Sequence, residues 1–75
     1  MNNEFVLNQA ELFARRLENE APNDIDKQIE LAYRIALSRS PSADETAVAK
    51  ELIVERSLSD LTNVILNLNE FLYLR

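Results

Sequence analysis

The sequence predicts an all-α fold, a compact bundle of four short helices with an apolar C-terminal tail. Three observations lead there. Apolar residues recur at helical spacing along most of the chain. The periodic stretches are separated by short breaks at Pro22, Ser40-Pro41 and Ser57-Ser59. Finally, 47% of the 75 residues are apolar, a fraction that belongs to a folded chain and, at this length, to one domain spanning 1–75.

The first helix is predicted from about Glu4 to Glu20. Phe5, Val6, Gln9, Leu12, Phe13, Arg16 and Leu17 form its mostly apolar stripe, Asn3 is placed to cap it, and Glu11 stands four residues before Arg15, the favourable order for an ion pair. Pro22 stops it. The second helix is predicted from Asp24 or Ile25 to Ser38, with Asn23 and Asp26 resembling a capping box. Its apolar face, Ile25, Ile29, Ala32, Tyr33, Ala36 and Leu37, is widened by Leu31 and Ile35, so it is expected to be central and contacted on two sides.

The third helix follows Pro41. Ser42-Ala43-Asp44-Glu45 is a capping box, and the helix is expected to end near Arg56. The fourth is predicted from Asp60 to Asn67 or Asn69, capped by Ser59, with Leu61, Val64, Ile65 and Leu68 facing the core. The tail Glu70-Phe71-Leu72-Tyr73-Leu74-Arg75 either continues that helix or crosses the bundle extended. The chain has no glycine, the usual residue at helix C-caps, so Asn19, Asn23, Asn67 and Asn69 are read as the positive-φ caps. Short loops place consecutive helices side by side.

Composition excludes several chemistries. There is no cysteine and no histidine, so no disulfide, no cysteine nucleophile and no ordinary zinc site is expected. No glycine-rich phosphate loop or haem-attachment motif occurs. The acid pairs Asp24/Asp26 and Asp44/Glu45 fall in first helical turns, where the helix dipole favours them, and they lack the spacing of a calcium loop. A net charge of −5 speaks against a nucleic-acid partner, including a helix-turn-helix mode using Arg34 and Arg39, and against an anionic membrane surface. No stretch is long enough to insert in a membrane, and the start of the chain does not read as a signal peptide, so any export signal is expected outside it. The expectations are therefore no catalytic, metal or cofactor site, no cofactor and no small-molecule ligand. Three residues remain as candidates for partner binding: Arg39 at the end of the second helix, and Phe71 and Tyr73 in the tail. Each has a structural alternative, Arg39 as a partner of helix carbonyls or of Glu45, and the aromatics as a seal on a small core.

Several strings together carry a resemblance. They are Asn3-Glu4-Phe5-Val6 with Ala10, Ala14 and Arg16; Ile29-x-x-Ala32-Tyr33-Arg34-x-Ala36-Leu37-x-Arg39-x-Pro41-x-x-x-Glu45; and Asp60-Leu61-Thr62-Asn63-x-x-Leu66-Asn67-x-Asn69-Glu70-Phe71-Leu72-Tyr73. The chain resembles the C-terminal part of the planctomycete PSD-one domain family, a domain of unknown function. It departs from the family pattern at Ser38, where glycine is common, which speaks against a positive-φ turn there. It departs again at Thr62, where cysteine is common, which removes any thiol role. The resemblance implies the end piece of a larger, exported protein of the periplasm or cell surface, in which other domains, often including a cytochrome c-like one, come first. It implies no activity for this part. The reading that follows is a non-catalytic structural or protein-interaction module, binding the preceding domain or another protein. The alternative is an accessory part of an enzyme whose active site lies in missing N-terminal domains, reached by Arg39 or Arg34.

Overall fold

The computed structural model describes residues 3–73, and side chains through residue 68. Four helices follow in order: α1 Glu4–Glu20, α2 Ile25–Leu37, α3 Ala43–Glu55 and α4 Leu58–Tyr73. The start of each is fixed by local chemistry. Asn3 Oδ1 accepts from the Val6 amide (2.9 Å). The box at α3 closes both ways, with Ser42 Oγ accepting from the Glu45 amide (3.1 Å) and Glu45 Oε1 from the Ser42 amide (2.9 Å).

Two predicted caps move. The cap of α2 is Asp24, whose Oδ1 accepts from the Lys27 amide (3.1 Å), because Asn23 takes φ 56° and turns the chain out of α1 instead. The cap of α4 is Ser57 and not Ser59: its Oγ accepts from the Asp60 amide (3.1 Å) and donates to Asp60 Oδ2 (2.9 Å), so the helix begins two residues earlier than predicted. At its other end α4 runs through the tail as far as Tyr73, which decides for the continued helix. Asn19 and Asn67 lie inside helices and cap nothing, and Asn67 Nδ2 donates back to the Asn63 carbonyl (2.8 Å). Asn69 is also inside α4, and its side chain is outside the described residues.

α2 and α4 each touch the three other helices, whereas α1 and α3 do not meet among the described residues. The bundle therefore has a central α2–α4 pair flanked by α1 on one side and α3 on the other. Leu17, Ile29, Ala32, Tyr33, Ala49, Leu61 and Ile65 form the core where all four converge. Full burial of one such leucine or isoleucine contributes about 1.5–3 kcal/mol. The radius of gyration is 11.5 Å, close to the roughly 11 Å of a compact globule of this length.

The buried side of α1 differs from the predicted stripe. Val6, Ala10, Ala14 and Leu17 are buried, while Phe5 is 68% and Leu12 55% exposed. The stripe is rotated because α1 makes its main contact with α4, and small alanines let the two backbones approach. The approach is close enough for the buried Thr62 Oγ1 to donate to the Ala10 carbonyl (2.7 Å). The predicted Glu11–Arg15 pair gives way to Arg16–Glu20 (2.7 Å).

Candidate functional site

The Arg39 candidate lies at the α2–α3 connection, which is built from the bottom of α2 upward. Ser38, the C-cap of α2, sits in the left-handed region (φ 59°, ψ 32°) and gives its amide to the Arg34 carbonyl (3.1 Å). The positive-φ turn is therefore present without the glycine whose absence spoke against it. This turn folds the chain back so that Arg39 meets the start of α3. Its guanidinium donates to Glu45 through both terminal nitrogens, Nη1 to Oε1 (2.7 Å) and Nη2 to Oε2 (2.8 Å). Nη1 also reaches the Ser40 carbonyl (3.2 Å), and the group lies 5.5 Å from the centre of the Tyr33 ring.

A second pair closes the other side. Glu30 Oε2 accepts from Arg34 Nε (2.6 Å) and from Ser40 Oγ (2.8 Å). Electrostatics follow the geometry. The Arg39 guanidinium first, and then the Ser42 amide, hold the Glu45 carboxyl down at about 2 against an ordinary 4.5. Glu30 is lowered by its bonds from Arg34 and Ser40. Burial pushes the Tyr33 hydroxyl up, with the Glu45 charge acting the same way and Arg39 opposing it. Three of the partners of these carboxylates, Arg39, Ser40 and Ser42, lie in the connection and the fourth, Arg34, in the last turn of α2, so the shifts describe a clasp that holds both carboxyls in their charged forms.

Sequence reasoning placed Arg39 with Glu45 as one of its two alternatives, and that contact forms. Arg39 remains half exposed while so engaged. Phe71 and Tyr73 lie on α4, but their side chains fall outside the described residues. Among the described residues no group of three or more acidic side chains is arranged to hold a metal ion, and no helix is long and apolar enough to cross a membrane.

The open surface lies elsewhere, and the predicted stripe on α1 obscured it. A trough of about 390 Å³ between α1, α2 and α4 is lined by Leu12, Phe13, Ile35, Ala36 and Leu66, with Gln9 and Arg16 at its polar edge. A second, of about 260 Å³, opens between α3 and α4 over Tyr33, Ala49 and Leu61, walled by Val48 and Val64 and edged by Asp44 and Glu45. The usable signal in the sequence was a surplus: apolar positions on α1 and α3 exceed what one helix face can bury. Gln28 was missed too. It is buried, and its Nε2 donates to the Ala21 carbonyl (2.8 Å), satisfying the end of α1.

The family model described as "PSD1: Protein of unknown function (DUF1553)" matches residues 1–53. The match takes in α1, α2, the clasp and most of α3, and it stops short of α4 and the closing block. No curated protein and no solved structure matches the chain.

Proposed function

The chain belongs to the PSD1 family of unknown function, and from that premise we propose that it is a non-catalytic structural and protein-interaction module, packed against a neighbouring domain of a longer chain or against another protein. One observation carries this: the apolar trough between α1, α2 and α4 stays open in the folded chain, with Leu12 55% exposed at its edge. Isolated exposed leucines are ordinary, but contiguous apolar side chains lining a depression between three helices favour a partner surface. The charged residues support the same reading, because Arg39, Arg34, Glu30 and Glu45 are committed to one another. Arg39 and Arg34 are thus spoken for within the chain, which weighs against their serving an active site in another domain.

The test is fluorescence of an apolar dye with the folded chain. Enhancement that falls by at least half in Leu12→Ser, with helicity unchanged, is the expected outcome. A dye that stays dark with the native chain and brightens only on unfolding would reject the reading.

A further inference from the structure

Resting on that reading, we propose that the α3–α4 trough is the docking site of a basic amphipathic helix from a partner, which seats an apolar side chain between Val48 and Val64 and sets its cations against α3. The floor of the trough is the buried Tyr33, Ala49 and Leu61, and the walls are Val48, 67% exposed, and Val64, 46% exposed. A partner helix laid along such a channel anchors through side chains three and four residues apart.

The occupant's chemistry follows from charge. Asp44, Val48, Glu51 and Glu55 fall at helical spacing on one exposed face of α3. Asp44, Glu51 and Glu55 have no ion pair within the described residues, whereas the two cations of this stretch are already held, Lys50 by Asp26 (3.0 Å) and Arg56 by Asp60 (3.5 Å). Glu45 at the edge is taken by Arg39. The face therefore offers three open carboxylates beside two exposed valines. A basic helix matches both features and gains in encounter rate and specificity from the charge. A second copy of this chain fits poorly, because a two-fold pairing sets one acidic α3 against another and the whole chain carries −5.

The probe is a Leu/Lys amphipathic peptide of about 14 residues, long enough to be helical when bound. Its control has Glu for each Lys and the same leucines. Binding to the full chain is followed by amide chemical shifts and anisotropy at about 50 and 300 mM salt. The Lys peptide is expected to bind at least about tenfold more tightly than the Glu peptide, to weaken with salt, and to shift Val48, Glu51 and Val64 most. The pair Val48→Ser and Val64→Ser should cost about tenfold, and D44N/E51Q/E55Q several-fold, with unchanged circular dichroism. Equal binding of both peptides, shifts centred instead on Leu12, Phe13 and Ile35, or a dimer abolished by Val48→Ser would each overturn the proposal. If the dye still responds to Leu12→Ser in those cases, the interaction reading survives and only this site falls. Silence of both dye and peptide removes both.

Discussion

Ser38 is held where a non-glycine residue loses about 1–2 kcal/mol, yet the turn it makes is what brings Arg39 onto Glu45. Ser38→Gly should therefore stabilise the chain by about 0.5–1 kcal/mol, the relief of strain less the extra freedom glycine has when unfolded. Urea unfolding measures it, and a loss of stability would show that the turn is not left-handed in solution. Glu45 gives a second prediction. Its folded pKa of about 2 lies below its ordinary 4.5, so the pairing stabilises the fold above about pH 4.5. That contribution is lost as pH falls from 4.5 towards 2. Carboxyl NMR shifts should place the Glu45 titration at the bottom of this range, and Glu45→Gln should flatten the acid limb of the stability curve. Of the residues that carry the resemblance, those of the middle block, Tyr33, Arg34, Arg39, Pro41 and Glu45, lie in or beside one clasp, and their spacing reflects how a helix end is tied to the next helix start. The contact between Arg39 and Glu45 was legible in the sequence, since Glu45 is set by the capping box. The conformation of Ser38 was not, because no side-chain signal distinguishes a serine that is forced to positive φ.

At the level of the helices, starts were legible wherever the cap is a local bond, as at Asn3 and Ser42. They were displaced where two candidates compete within three residues, Asn23 with Asp24 and Ser57 with Ser59, because the winner depends on which residue the turn frees. The rotation of α1 was not legible at all. Periodicity selects the largest apolar residues, and α4 selects the smallest, since Thr62 must reach the Ala10 carbonyl. Ala14→Leu should accordingly cost about 1–3 kcal/mol through overpacking, and Leu12→Ala no more than about 0.5 kcal/mol. Thermal or urea unfolding of the two variants checks the rotation, and the reverse order of losses would return Leu12 to the core. Replacing the Thr62 hydroxyl, as in Thr62→Val, should cost about 1 kcal/mol by leaving its buried bond unmade.

The whole molecule is a helical bundle whose charged connection is turned inward on itself and whose apolar surplus faces out. A domain this short buries only about 60% of what its unfolded chain exposes, so some apolar surface must stay open. Part of it lines two troughs, one on each side of α4, where Leu12, Ile35, Val48 and Val64 are exposed, while Phe5, Leu7, Val54 and Leu68 are exposed outside them. The fold class and helix order could be read from spacing and caps, but the troughs depend on inter-helix geometry that no local pattern encodes. The most direct measurement is a residue-resolved amide shift map of the folded chain titrated with the apolar dye. Shifts should gather at Leu12, Phe13, Ile35, Val48 and Val64 and leave Glu30, Arg34 and Ser40 in place. Shifts concentrated at Glu30, Arg34 and Ser40, or none anywhere, would contradict the proposal that the clasp serves the fold and the apolar troughs face a partner.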